Sequence, residues 1–342
     1  MLTDYQDCFC SKWNAEPYRS GYDHSLLKTY FEKYSFHGHF VRMSDVDFRK
    51  DWHDCLVLYT SSEHVGFNYK SYIEDVVLGL ELNGAHCLPS YPFLRANNNK
   101  VFMEVLRRTF LDAELCTLDH SGYGCLEELN RDLQRHKWDF PVVIKSAEGA
   151  MSRGVKLAET PEELREHAKE LSRTPHWWYE FKDFVREWKM PGYRKESRHQ
   201  KKFIVQDYIP GLENDWKVLV YGDRFYVLKR HVRDDDFRAS GSGVDYQAGS
   251  DAGIPSKVLD VVEAVYLGLD EPHLSVDVGF DGEKVHVFEI QALHFGTSTQ
   301  YKSEEHYRKV NGQWEAEDKD FDQEEAYVWG VKRYLERHPE LA

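Results

Sequence analysis

Between Phe203 and Gln291 the chain alternates apolar residues with cations and acceptors in three runs: QDYIPGLENDWKVLVYGDRFYVLKR, DDDFRASGSG and LSVDVGFDGEKVHVFEIQ. Alternation at a period of two predicts strands with one face buried. Upstream, CLVLYTSS is a short apolar run of buried-strand type. It is followed by Tyr72, Ile73, Val76, Val77 and Leu80 at helical spacing, with Asn83-Gly84 as the stop and AHCLPS as the next strand, a small α/β unit. Asn97 to Asn99 can cap a helix that begins near Lys100. PVVIKS and GVKLAE read as strands joined by the loop AEGAMSRG. The helix TPEELREHAKELS then opens with Thr160 at N-cap, Pro161 at N1 and a glutamate at N3, and FIVQDYI is the next strand. PSKVLDVVEAVYLGL is an amphipathic helix, and Asp281-Gly282 marks a hairpin. After Thr297 the chain turns polar and acidic, with EDKDFDQEE expected in solvent, and it finishes on a helix, AYVWGVKRYLERH, that should pack back on the body. The first fifty residues show little periodicity. The fold class this pattern predicts is mixed α/β (α+β).

Composition narrows the function. With 342 residues, 41% hydrophobic and 14% aromatic, the chain can bury sizeable cores in two or three domains. Its formal charge of -15 argues against general nucleic-acid or anionic-membrane binding, so a bound phosphate requires a local cluster of cations. Six cysteines lie scattered without the spacing of a zinc site, and the first residues lack the pattern of a secretory signal, which leads us to expect a cytoplasmic protein. One segment stands apart: residues 176–202 hold seven aromatics and eight lysines or arginines in 27 residues. It reads either as an amphipathic helix docked on the surface or in a dimer interface, or as a grip on an anionic polymer through Arg194, Lys195 and Arg198.

The candidate chemistry lies in the strands. Residues two apart on a strand share a face, so Glu289 and Gln291 project together. Asp277 joins them only if the intervening turn has an odd number of residues, because a two-residue turn places it on the other face. Two carboxylates and an amide oxygen are hard ligands of the kind magnesium accepts when phosphates complete its octahedron. Lys145 ends the run VVIK one step before the glycine loop, whose backbone amides can approach phosphate. Lys217, Lys229 and Arg230 flank the turn at Tyr221-Gly222-Asp223, and Arg238 follows in DDFR. Cations at strand ends, a lid loop and a downstream acidic cluster suit stabilisation of a transferring phosphoryl group.

Taken together, these segments resemble the ATP-grasp superfamily, in particular the ligases that add glutamate to a ribosomal protein or join peptide-like units. The resemblance runs from about Asp54 to Thr297: PVVIKSAEGAMSRGVKLAET is similar to the family's first strand, mobile loop and second strand, FIVQDYI to its adenine hinge, and DDDFRASG to the loop that reaches phosphate. It implies an N-terminal pre-ATP-grasp α/β domain (1–95), a central lid subdomain (96–202, with the insertion 176–202) and a C-terminal subdomain (203–342). It implies that Lys100, Lys145, Glu148, Lys217 and Lys229 serve ATP, that Gln206, Asp207 and Tyr208 border adenine, and that Asp215 sits near the ribose. Arg230 and Arg238 would stabilise the γ-phosphate or an acyl phosphate, and Asp277, Glu289 and Gln291 would bind one or two Mg2+, or Mn2+. The family usually has asparagine at the last metal position, where this chain has Gln291; FEIQALHFGTS leaves His294 and Phe295 to shape the acceptor pocket. Tyr69, Lys70 and Tyr72 are candidates for substrate contacts.

The expected activity is ATP-dependent joining of a small or peptide-like carboxylate to an amine, through an acyl phosphate, with release of ADP and phosphate. A kinase on a hydroxyl acceptor and a non-catalytic nucleotide-binding regulator remain open, as does self-association. No nucleic acid or membrane partner is expected.

Overall fold

The computed structural model describes the chain apart from residues 63, 65, 136–137, 150–153, 233–245 and 342. The chain divides into two compact units: residues 1–97, 105–117 and 211–342 form one, and residues 98–104 and 118–210 the other. The segments read from sequence as first and last domains therefore fall largely in the same unit.

In the larger unit, β1 (Leu2–Thr3) pairs in parallel with β2 (Val41–Arg42), and α1 spans His24–Lys33. Strand β3 (Leu56–Leu58), helix α2 (Asn68–Leu82) and strand β4 (His86–Leu88) make a parallel βαβ unit, followed by the short helix α3 (Tyr91–Ala96). The helical spacing read for α2 is its buried stripe, with Ile73, Val77 and Leu80 fully covered. Helix α4 (Lys100–Phe110) is divided, its residues up to Glu104 counting with the smaller unit and those from Val105 with the larger.

The smaller unit is a four-stranded antiparallel sheet. Its strands are β5 (His120–Tyr123), β6 (Val142–Ser146), β7 (Val155–Ala158) and β8 (Phe203–Asp207), in the order β5-β8-β6-β7, with α5 (Leu126–Asp132), α6 (Pro161–Leu171) and α7 (Trp177–Lys189) between them. Val142, Ile144, Phe203 and Val205 alternate onto the face covered by α5 and α6. Thr160 caps α6 by accepting the Glu163 N–H at 3.2 Å, while the Glu163 carboxylate reaches back to the Glu159 N–H at 2.9 Å.

The remaining elements return to the larger unit: β9 (Asn214–Tyr221), β10 (Arg224–His231), β11 (Tyr246–Ala248), α8 (Ser256–Leu269), β12 (His273–Phe280), β13 (Val285–Gln291), α9 (Ser298–Lys302), β14 (Glu305–Val310), β15 (Gln313–Asp318) and α10 (Gln323–Arg337). They build an antiparallel sheet of order β13-β12-β9-β10-β14-β15, with β11 added on β10. One face carries Trp216, Val218, Val220, Val276 and Val278 and is covered by the apolar stripe of α8. The opposite face is apolar at one end, where Leu219, Tyr221 and Tyr226 meet Ala326 of α10, and polar at the other.

The tail adds one element to the sequence reading and corrects one expectation. The hairpin β14–β15 turns through Asn311-Gly312, both at positive φ (50° and 83°), as a two-residue primed turn demands. That Asn-Gly signal is present in the sequence and was not used. The acidic stretch EDKDFDQEE is not wholly in solvent, because Glu324 and Glu325 are buried. Glu324 pairs with Lys12 at 2.7 Å and accepts the Asp23 N–H at 2.9 Å, and Glu325 pairs with Lys33 and accepts from the Tyr34 hydroxyl at 3.1 Å. The first fifty residues supply those partners.

Candidate active site

Four strands of the large sheet present polar side chains on one face: β9, β12 and β13 carry them two residues apart, and β10 adds Arg230. The register sets Arg230 opposite Asp215, Lys217 opposite Asp277, Asp277 opposite Glu289, and Ser275 opposite Gln291. The Arg230 guanidinium grips Asp215 with two bonds, 2.5 and 2.8 Å, and reaches Asp277 Oδ2 at 2.9 Å. Lys217 Nζ donates to Ser275 Oγ at 2.7 Å and stands 3.5 Å from Asp277 Oδ1. Three acids, counting Glu289, thus face two cations. Taking such charges out of water is tolerated only because each has a partner.

The electrostatics follow from that packing. Burial opposes ionisation of Asp277, but Arg230 and Lys217 outweigh it and hold the carboxyl below its usual range. Asp215 feels the same burial, with the Asp277 charge nearby, and its carboxyl is pushed up to about 6 despite the Arg230 contact. Burial also opposes the charge on Arg230, yet the two aspartates keep its guanidinium above the usual value.

Asp277 shares its face with Glu289 by an unexpected device. The turn from Phe280 to Val285 holds four residues, an even number, which alone would leave Asp277 opposite Phe288. A β-bulge between Asp277 and Val278 shifts the register by one and brings Glu289 into place. The bulged Phe288 lies against Gly279, where a Cβ would stand 2.7 Å from the ring. Glycine is needed there for space.

The donor set of Asp277, Glu289 and Gln291 fits a hard divalent cation: all are oxygen donors on one face, and Asp277 Oδ1 is buried without a hydrogen bond. Among the described residues no cluster of three or more His, Cys, Asp or Glu forms a metal site, so any ion here relies on the amide and on ligands from elsewhere. Just beyond Gln291 the chain lines a small cavity of about 30 Å³, with Cys10, Tyr22, Tyr221, His273, His294 and Phe295 among its walls. His294 has positive φ (47°), and burial lowers its pKa to about 4.

In the smaller unit the structure brings together part of what the sequence suggested for nucleotide. The Lys100 ammonium donates to the Gly149 carbonyl at 3.1 Å, its backbone N–H bonds Ala147 at 2.9 Å, and Asn98 Oδ1 accepts the Gly149 N–H at 2.7 Å. The start of α4 is thereby tied to the glycine loop. Lys145 and Gln206 lie on the sheet face away from the α5 and α6 core, since Lys145 opposes Ile204 and Gln206 opposes Val143. Gly122 shares that face, and Val101 of α4 closes on it with Cγ1 3.0 Å from where a Cβ would be. Glu148 is exposed, 3.9 Å from Lys202, and Tyr208 follows directly on β8.

Other candidates are placed differently. Asp207 alternates onto the opposite face and spends its carboxylate on the Asp119 N–H at 3.0 Å. Asp215, read as a ribose contact, has both oxygens on Arg230. Lys229 opposes Trp216 and Gln247 and projects from the other side of β10, away from Arg230. Arg238 lies outside the described residues. Lys70 is buried against Glu74 at 2.6 Å, and the Tyr72 hydroxyl donates to Met43. Ser275 escaped the sequence reading, though it sits two residues before Asp277 and within reach of the same alternation, and Asn98, read as part of a helix cap, instead holds the glycine loop.

No family model and no curated protein matches the chain. Among solved structures, D-cycloserine synthetase DcsG superposes with a TM-score of 0.54 at 12% identity, over 94% of this chain and 95% of that one. A D-alanine–D-alanine ligase from Bacillus anthracis matches at 0.49 and 13% (100% and 98% covered), and a RimK domain ATP-grasp protein from Sphaerobacter thermophilus at 0.48 and 13% (88% and 94%). The likeness to the synthetase, over nearly the full length of both chains, shows that the two share a fold.

Proposed function

We propose that this ATP-grasp chain is an ATP-dependent carboxylate-amine ligase. The reading is carried by one observation: Lys217 and Arg230 stand on the same sheet face as Asp277, Glu289 and Gln291, cations beside a hard-donor set. In the proposed reaction a substrate carboxylate oxygen attacks the γ-phosphorus of ATP and ADP leaves. An amine nitrogen then attacks the acyl carbon, phosphate leaves, and the nitrogen gives up its proton to form the amide. Asp277, Glu289 and Gln291 would hold magnesium, or manganese, which when bound neutralises charge on the phosphate oxygens. Arg230 is fixed by Asp215, so its charge needs no reorganisation as the phosphoryl group moves. Lys100, Lys145, Gln206 and Lys217 would serve the nucleotide. The substrates are a small or peptide-like carboxylate and an amine.

The test is ADP release with ATP and magnesium against panels of amino acids, dipeptides and uronic acids, comparing wild type with Glu289→Ala. Turnover that needs both a carboxylate and an amine, and is lost in the variant, is expected. Turnover with a hydroxyl acceptor alone would replace the ligase by a kinase, and nucleotide binding without turnover on any pair would replace it by a regulator.

A further inference from the structure

Helix α7 of the smaller unit turns its aromatic residues outward. Trp177, Phe181, Phe184 and Trp188 are 77, 57, 66 and 81% exposed. Their spacing of four, three and four places all four within a stripe about 60° wide on a helix of 3.6 residues per turn. Four residues so aligned can form the seam of a helix-on-helix pair, and Trp178, 48% exposed, flanks it. The inward side of α7 is already served by Asp183, which is buried and accepts from the Tyr193 hydroxyl at 2.6 Å.

Part of the positive charge of this segment is spent on the helix itself. Lys195 pairs with Glu187 at 2.6 Å and Arg198 with Glu180 at 3.3 Å, so the stretch after the helix folds back onto its acidic flank and neutralises it. Lys182 lies over the Trp178 and Tyr179 rings. Within Trp177–Lys189 three acids balance three bases, in a chain of net charge -15. The stripe itself is apolar, and the exposed Lys189, Arg194 and Lys201 lie outside it.

We infer that α7 is a self-association surface on which a second copy of this chain docks, its own α7 running antiparallel. The stripe reads Trp-Phe-Phe-Trp, so a two-fold axis between Lys182 and Asp183 sets Trp177 of one copy against Trp188 of the other, and Phe181 against Phe184. Antiparallel pairing brings the apolar flank of Trp178 and Val185 against itself. Parallel pairing sets the Glu180 and Glu187 flank against those apolar residues. At about 150–250 Å² for a fully buried aromatic, the measured exposures offer roughly 400–700 Å² per copy. A standard interface takes about 800 Å² per partner, so the four rings supply most of its core and Trp178 with Met190 can extend it.

Sedimentation of the full chain at tens of micromolar tests this. The wild type should run at twice its 40.3 kDa chain mass, and Phe181→Glu and Phe184→Lys should each run as monomers with unchanged melting. An equimolar mixture of the two variants should recover the dimer, because the antiparallel axis places the acidic substitution opposite the basic one. A monomeric wild type overturns the inference, including one that co-sediments with phosphatidylserine vesicles and so uses the stripe on lipid. A dimer that survives either single substitution overturns it as well, and failure of the mixture to pair overturns the antiparallel axis.

Discussion

At the polar end of the seven-stranded sheet four charged side chains are buried or half-buried, while on α7 four large aromatic side chains stand in solvent. Both regions invert the ordinary distribution of residue types, and the inversions are sustained differently. In the sheet every charge has a partner within the same face, so the arrangement is complete within one chain. On α7 Glu180, Asp183 and Glu187 are paired within the chain, but among the described residues the aromatic stripe has no cover. The first region is therefore preorganised for a ligand that brings charge, and the second lacks only an apolar partner.

The sharpest way to break this comparison is to remove one buried charge. Arg230→Met strands Asp215 and Asp277 and should lower unfolding stability in urea by about 3–5 kcal/mol; a loss below 1 kcal/mol would show that the cluster is solvated. At the other end of the same face His273 is buried as a neutral ring, with Nε2 2.7 Å from the Tyr327 carbonyl, and burial lowers its pKa from 6.5 to about 4. The unfolded chain binds the proton first as pH falls, so this residue costs stability from about pH 6.5 down to about 4, near 1.4 kcal/mol per unit. His273→Gln should show a flatter dependence over that window, and an unchanged slope would contradict the assignment.

Gly279→Ala drives a methyl group into Phe288 and should cost about 1–3 kcal/mol. If the bulge is what aligns Glu289, magnesium dependence of nucleotide binding should weaken as well; full retention would mean that the alignment survives without it. The smallest effect belongs to the surface of α7: Lys195→Ala should change stability by less than about 1 kcal/mol, because its pair with Glu187 is solvent-exposed. Neutralising Arg194, Lys195 and Arg198 together should leave the substrate's Michaelis constant unchanged, whereas a rise would restore the polyanion reading of that segment.

Much of the fold was legible because alternation and helical spacing are local signals: β6, β9, β10, β12, α2, α6 and α8 follow from them directly. The glycine loop beside Lys100 and the shared face of Glu289 and Gln291 were readable for the same reason. Other features depend on pairing that no local pattern carries. The bulge at Phe288 became visible only with the register, as did the separation of Lys229 from Arg230 by the two faces of β10. Burial of Glu324 and Glu325 depends on Lys12 and Lys33, about 300 residues away in the sequence. The Asn311-Gly312 hairpin was local and went unread.

The central claim is that Asp277, Glu289 and Gln291 form the metal-bearing end of an ATP site. Calorimetric titration of ADP into the full chain, with and without magnesium, for wild type and Glu289→Gln, tests it most directly. The account predicts that magnesium tightens ADP binding at least tenfold in wild type, about 1.4 kcal/mol, and that the variant loses this gain while keeping its magnesium-free affinity. Equal magnesium dependence in both proteins would contradict it.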